Sequence, residues 1–165
     1  MGRRPAPRVS GPWGEIMTDV RFYHLTRSPL EAVLPKMLEK TLERGQKAVV
    51  MTGSEERVEA LNGHLWTYHD RGFLPHGSDK DGFAESQPIW LTVRDENPNG
   101  AQVLFLTDGA ATAHLGAFEI CAILFDGADE AAVAAVRGQW QELKSAGHEV
   151  TYWQQGSGGG WEKKT

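Results

Sequence analysis

Short strand-like segments alternate with helix-like segments along this chain, and this alternation limits most strongly how the chain can fold. Residues 20–25 form a short, strand-like run. They are followed by Thr26, Ser28 and Pro29, residue types that often begin a helix. Residues 30–44 then place apolar side chains at helical spacing. Residues 20–44 therefore predict a strand followed by a helix.

The alternation continues to residue 153. Helical patterns occur at 55–68 and 129–146, and strand-like runs occur at 47–52, 89–93, 103–107, 118–125 and 149–153. Strands separated by helices usually form a parallel sheet covered by those helices. We therefore predict an α/β fold, namely a single three-layer, Rossmann-like domain with a largely parallel central sheet and helices on both faces.

The two ends of the chain differ in composition from its middle. Residues 1–16 are rich in Pro, Gly and Arg, and residues 154–165 are rich in Gly. Neither end has the apolar periodicity of a helix or strand. We expect a disordered N-terminal extension at 1–16, or the product of an upstream start codon with Met17 as the true beginning. The ordered domain is predicted at 17–153 and a flexible tail at 154–165.

The charge balance and the cysteine content exclude several classes of protein. Lys and Arg number 17 against 22 Asp and Glu, a net charge of −5, which disfavours a protein that coats nucleic acid. The single cysteine, Cys121, excludes an intrachain disulfide framework and a zinc site with several thiolates. No apolar run reaches the ~18 residues of a membrane span. We expect a soluble, cytoplasmic protein without membrane contact.

Motifs that would indicate catalysis or cofactor binding are missing. No Gly-Lys-Ser or Gly-Lys-Thr occurs, and the turn after the first strand has no glycine, so a phosphate-binding loop is not predicted. The six histidines form no close metal-binding pair. We predict no catalytic residue, no metal site and no cofactor, and we keep a small nucleotide-binding enzyme or sensor as the alternative function.

Two segments have the character of binding surfaces. The first combines Trp66, near the end of the second predicted helix, with the apolar island Phe73, Leu74, Pro75 and His76 in a polar region. Such residues serve either as a lid over the core or as an aromatic anchor for a partner. The sequence favours neither interpretation over the other.

The second segment is the last helix, where isolated cations lie beside an apolar stripe. Between residues 95 and 136 there are seven acidic residues and no Lys or Arg. An arginine beside a tryptophan is suited to a peptide that ends in acids and an aromatic residue. On spacing alone, an ordinary amphipathic helix with solvated charges explains this pattern better. The stripe consists of Val133, Val136, Trp140 and Leu143, and the polar side chains beside it are Arg137, Gln141 and Lys144.

Several of these segments together resemble the chi subunit family of bacterial DNA polymerase III. The resemblance covers residues 17–153 and depends on the order and spacing of the motifs rather than on any one of them. The matching segments are Val20-Arg21-Phe22-Tyr23-His24-Leu25, Leu65-Trp66 followed by Phe73-Leu74-Pro75-His76, and Arg137-x-x-Trp140 followed by Ala146-Gly147 and Tyr152-Trp153.

The resemblance implies a non-catalytic accessory subunit of the clamp-loader complex. Its members bind the acidic, Phe-ended C-terminal tail of single-stranded-DNA-binding protein and link that protein to the replisome at the nucleoid. Arg137 matches the key arginine of the family, and Trp140 occupies its aromatic position. Gln141 stands where other members have a lysine, which implies weaker binding.

A second family surface binds the psi subunit or, alternatively, an accessory helicase. Trp66 and Phe73 match the aromatic anchors of that surface, and Leu74, Pro75 and His76 adjoin them. The resemblance therefore implies contact with DNA only indirectly, through partner proteins.

Overall fold

A computed structural model of the chain describes residues 9–10, 15–16, 18–26, 28–67, 75–79, 81–156 and 160–164. Its helices are α1 (Leu30–Glu43), α2 (Glu55–Thr67) and α3 (Glu130–Ser145). Its strands are β1 (Val9–Ser10), β2 (Glu15–Ile16), β3 (Asp19–Leu25), β4 (Ala48–Met51), β5 (Gly77–Ser78), β6 (Ile89–Thr92), β7 (Val103–Leu106), β8 (Ile120–Asp126), β9 (Glu149–Gln155) and β10 (Trp161–Lys163).

Eight of the strands form one mostly parallel sheet. Their order is β10-β9-β3-β8-β7-β4-β6-β5, and each neighbouring pair is parallel except β10 and β9. The strands β1 and β2 form a separate antiparallel pair. The prediction of an α/β fold with a largely parallel sheet is confirmed.

Apolar side chains from the two faces of the sheet enter two different clusters. Along β4, Ala48 and Val50 belong to the cluster that contains residues of α1 and α2, whereas Val49 and Met51 belong to the cluster that contains residues of α3. Because both faces of β4 are buried, its sequence is continuously apolar rather than alternating. The α3 helix therefore packs in a different apolar cluster from the one that contains α1 and α2.

Two strands of the sheet lie where the sequence predicts no regular structure. The strand β5 is only two residues long, and β10 lies in the segment expected to be a flexible tail. The β10 strand pairs antiparallel with β9, and the rings of Trp161 and Tyr23 pack in a T-shaped contact with centroids 5.0 Å apart. The buried Gln155 accepts hydrogen bonds from the backbone N–H groups of Thr26 and Ser28, which anchors the end of β9.

None of the described helices is both long and apolar enough to cross a membrane.

Candidate functional site

The candidate site lies on α3, whose position is set by its two ends. At its start, the Asp129 carboxylate accepts hydrogen bonds from the N–H groups of Ala131 and Ala132. This is a standard N-cap arrangement, which satisfies donors that have no partner within the helix. Beyond its end, Gly147 has a φ of 93°, a backbone conformation that favours glycine. The helix packs on β8 and β9.

The apolar stripe of α3 is only partly covered by the sheet. Val136 is buried, whereas Val133, Trp140 and Leu143 are half-buried and contact the same apolar cluster. Trp140 lies over the sheet with its ring centroid 5.9 Å from Phe22 and 6.1 Å from Tyr152. Part of this stripe therefore remains open to a ligand.

Two cations lie near Trp140 on α3, Lys144 beside its ring and Arg137 three residues before it. Lys144 Nζ lies 5.8 Å from the centroid of the Trp140 ring, within the range of a cation–π interaction. Arg137 and Gln141 are exposed one turn apart. Neither Arg137 nor Lys144 forms an ion pair with any residue in the described part of the chain. Their charges are therefore available to an anionic ligand.

The structure adds Tyr152 and His24 to this surface, although neither is evident as a site residue from the sequence. The Tyr152 hydroxyl lies 2.6 Å from His24 Nδ1, a hydrogen-bond distance. Burial raises the pKa of Tyr152, and the positive charge of Arg137 opposes that rise. Burial lowers the pKa of His24, and the nearby Asp126 carboxylate opposes that shift.

The alternation of side chains along β3 and β9 indicates that both residues lie on the same face of the sheet as α3. Phe22 pairs with Tyr152 in the parallel register of β3 and β9, and Phe22 belongs to the α3-side cluster. Since strand side chains alternate between faces, His24 lies on the same face as Phe22. Recognising the pair from sequence would have required knowing that β3 and β9 are neighbours.

The second predicted surface is described only in part. Phe73, Leu74 and the side chain of Trp66 lie outside the described residues. Pro75 is half-buried. His76 is buried, with Nε2 3.2 Å from the backbone carbonyl oxygen of Asn62. In the described part of this segment, His76 thus packs inside the protein rather than facing a partner.

A cavity of about 750 Å³ opens at the carboxyl ends of β3 and β8, near the starts of α1 and α3. Parallel α/β sheets often bind ligands at such a position. Within the described part of the chain, the charged groups that line it are four acids and one base, a net of −3. This charge opposes phosphate binding. The acids are Glu31, Asp108, Asp126 and Asp129, and the base is Arg57.

Arg57 is already engaged in this cavity. Its guanidinium bonds Glu31 Oε1 at 2.5 Å and Asp108 Oδ2 at 3.2 Å. The pKa of the Glu31 carboxyl is lowered by a hydrogen bond from the backbone N–H of Glu31 itself and by the charge of Arg57. Across the described residues, no cluster of three or more His, Cys, Asp or Glu side chains is arranged to hold a metal ion.

Comparison with known proteins gives a family match. The family described as DNA polymerase III chi subunit, HolC, has a sequence model that matches residues 17–151. A curated relative named "Probable DNA polymerase III subunit chi", from Rickettsia prowazekii (strain Madrid E), is 34% identical over 92 residues. The aligned part is 56% of this chain and 56% of that relative, so it spans little more than half of the relative's length. Because the family match extends over most of the sequence, the chain belongs to the DNA polymerase III chi subunit family.

Proposed function

We propose that this chain is a non-catalytic accessory subunit of the bacterial DNA polymerase III clamp-loader complex. In this proposal its α3 surface, defined as Arg137, Trp140, Gln141, Lys144 and Val133 together with Tyr152, binds the acidic, Phe-ended C-terminal tail of single-stranded-DNA-binding protein. The observation that carries the proposal is a half-buried Trp140 with Lys144 beside its ring and Arg137 three residues before it on α3, two cations without ion-pair partners among the described residues.

The chemistry of this surface suits such a tail. An arginine side chain holds a carboxylate through two parallel hydrogen bonds. Aromatic residues are the commonest anchors of protein interfaces, and they prefer edge-to-face or offset contacts with one another. The terminal Phe ring would contact Trp140 and Tyr152 while the terminal carboxylate pairs with Arg137. Gln141 offers a hydrogen bond but no charge, and we expect weaker binding than lysine would give.

We further assign the chain a three-layer, Rossmann-like arrangement, with α1 and α2 on one face of the sheet and α3 on the other. The two separate apolar clusters support this assignment. The nucleotide-binding alternative has less support, because the described charged side chains that line the cavity are mostly acidic and Arg57 among them is paired with two carboxylates.

The second surface, built around Trp66 and Phe73, is proposed to bind the psi subunit or an accessory helicase. Its position beyond α2 supports a partner distinct from the tail. In the sheet order, β5 and β6 lie at the edge opposite to β9 and β10, and the described Pro75 and His76 directly precede β5. The chain would then connect the polymerase complex to DNA through two proteins, at the replisome in the cytoplasm.

Titration calorimetry with an acidic, Phe-ended peptide tests the tail-binding proposal. Loss of one charge-assisted hydrogen-bonding group costs about 1.5–3 kcal/mol, so Arg137→Ala should weaken binding by about 10- to 150-fold. Lys36→Ala is the matched control, because Lys36 is an exposed cation on α1, which packs in the other apolar cluster. Equal affinities of the wild-type protein and Arg137→Ala would contradict the proposal, and so would the absence of any binding heat.

A further inference from the structure

One aromatic side chain far from α3 is held in solvent. Phe83 is 82% exposed, although the other large apolar side chains in the described part of the chain are at least partly covered. Its backbone has a φ of 54°, in the left-handed region that bulky residues rarely adopt. An exposed ring in a strained conformation is a costly arrangement for a residue without a binding role.

Hydrogen bonds fix the loop that presents this ring. The N–H groups of Asp81 and Gly82 both donate to the Ser78 carbonyl, and the Asp81 carboxylate accepts from the Ser78 N–H. On the other side, the Gln87 side chain donates to the Gly82 carbonyl. The loop is thus organised before any partner binds, which lowers the entropic cost of association.

The surroundings of Phe83 are acidic. Residues 81–85 contain two acids, Asp81 and Glu85, and no base, a net charge of −2. Asp79 pairs with Arg94, whereas the exposed Glu85 has no ion-pair partner among the described residues. The α3 surface is proposed to bind a segment of this kind, in which acidic side chains lie next to a phenylalanine.

We propose that the Phe83 loop, residues 81–85, docks on the α3 surface of a second copy of this chain. The inference rests on the proposed function, because it assumes that the α3 surface accepts an acidic segment with a phenylalanine. The sheet order separates the loop from α3 of its own molecule. The strand β5 lies four to six strand spacings from β8 and β9, on which α3 packs, roughly 19–29 Å at ~4.8 Å each.

The interface joins two different surfaces and is therefore heterologous. Each copy has one loop and one α3 surface, so copies add head to tail and the association continues beyond a dimer. The loop lacks the terminal carboxylate of a tail and buries little area, so we expect a dissociation constant of about 0.1–1 mM. Tail peptide and loop compete for the same surface, and bound tail dissociates the copies.

Sedimentation equilibrium tests this inference over protein concentrations of about 0.01–1 mM, a range that brackets the expected constant. The average mass of the wild-type protein and of Lys36→Ala should rise with concentration and fall to the monomer value when acidic, Phe-ended peptide is added. Phe83→Asn and Arg137→Ala should each remain monomeric. Asn tolerates a left-handed backbone, so Phe83→Asn should fold normally, as circular dichroism would verify.

An equimolar mixture of the two variants gives the most discriminating result. Phe83→Asn retains a complete α3 surface, and Arg137→Ala retains a complete loop, so the mixture should form a heterodimer although neither variant associates alone. A wild-type protein that stays monomeric to the highest concentration overturns the inference. Phe83→Asn associating like the wild type, or a mixture that stays monomeric, overturns it as well.

The same preparations separate this inference from the proposed function. Phe83→Asn should bind the acidic, Phe-ended peptide with wild-type affinity in calorimetry. Peptide binding by a strictly monomeric wild-type protein would leave tail binding intact and overturn only the association. Association that depends on both Phe83 and Arg137, without any peptide binding, would support the association and contradict tail binding.

Discussion

The imidazole of His24 lies between the Tyr152 hydroxyl and the ring of Phe125, with Asp126 as the nearby charge. Burial lowers the pKa of His24 from 6.5, although the Asp126 carboxylate opposes the shift. In the folded protein the neutral form is therefore favoured relative to the unfolded chain. Below pH 6.5 the unfolded chain binds more protons at this position than the folded protein does. The free energy of unfolding therefore decreases as the pH falls.

Replacing His24 should remove this part of the pH dependence. His24→Gln keeps a polar group near Tyr152 but has no proton to gain. Between pH 7.5 and 5, we expect the unfolding free energy to fall less steeply for His24→Gln than for the wild-type protein. Urea unfolding at a series of pH values measures the two slopes. Parallel curves would show that His24 does not contribute to the pH dependence.

Cys121 is a second residue whose surroundings determine its chemistry. It is completely buried in β8, and burial raises the pKa of its thiol to about 12. Because the thiolate is the reactive form, Cys121 should not react with iodoacetamide at pH 8 while the protein is folded. Mass spectrometry should detect labelling only when urea unfolds the chain. Rapid labelling without urea would show that β8 opens locally.

At the scale of elements, the N-cap of α3 differs from that of α1. Asp129 bonds two N–H groups of α3, whereas Pro29 at the start of α1 provides no side-chain hydrogen bond. Asp129→Ala should lower the unfolding free energy by about 0.5–2 kcal/mol. Tail affinity should be unchanged at temperatures where the variant is folded, because Arg137 lies two turns beyond the cap.

Glu130→Ala is the control for this prediction. It removes the same charge one residue later, from a side chain without a hydrogen bond in the described structure, and should cost less than Asp129→Ala. Urea unfolding of the two variants gives the comparison. Equal losses would indicate that charge near the helix start matters, rather than the cap hydrogen bonds.

The elements differ in how far the sequence predicts them. The strands β4 and β7 are continuous apolar runs and β6 has only Thr92 as a polar residue, because both faces of the sheet are buried there, and the sequence identifies each of them. In contrast, β10 pairs with the neighbouring β9 and packs Trp161 against Tyr23, a residue far away in the chain. With only three residues, β10 is too short to show a clear strand pattern, so the Gly-rich composition of 154–165 predicted only a flexible tail.

The residues of the candidate site also differ in how far the sequence predicts them. Arg137, Trp140 and Lys144 lie on one helix, and their helical spacing is enough to indicate a shared surface. Tyr152 and His24 join them only because β3 and β9 are neighbours in the sheet. The exposure of Phe83 is equally inaccessible to sequence reasoning, since it results from a left-handed backbone in a hydrogen-bonded loop.

At the scale of the whole molecule, the net charge of −5 opposes the approach of an acidic tail. Attraction by Arg137 and Lys144 acts over a short distance, whereas repulsion by the remaining charges acts over the entire surface. The Debye length is ~10 Å at 0.1 M salt, so repulsion between charges farther apart than this is already largely screened there, and further salt weakens mainly the attraction by the exposed Arg137 and Lys144. Screening of the attraction therefore lowers the affinity for the tail, and screening of the repulsion raises it.

Removing both cations should reverse the effect of salt. Arg137→Ala combined with Lys144→Ala changes the net charge from −5 to −7 and leaves mainly repulsion toward the tail. For the wild-type protein, affinity for the acidic, Phe-ended peptide should fall between about 0.05 and 0.5 M salt. For the double variant, the weak remaining binding should become stronger over the same range. Fluorescence anisotropy with a labelled peptide measures both trends. If affinity falls equally steeply in the two proteins, cations other than Arg137 and Lys144 attract the tail, and the site lies elsewhere on the molecule.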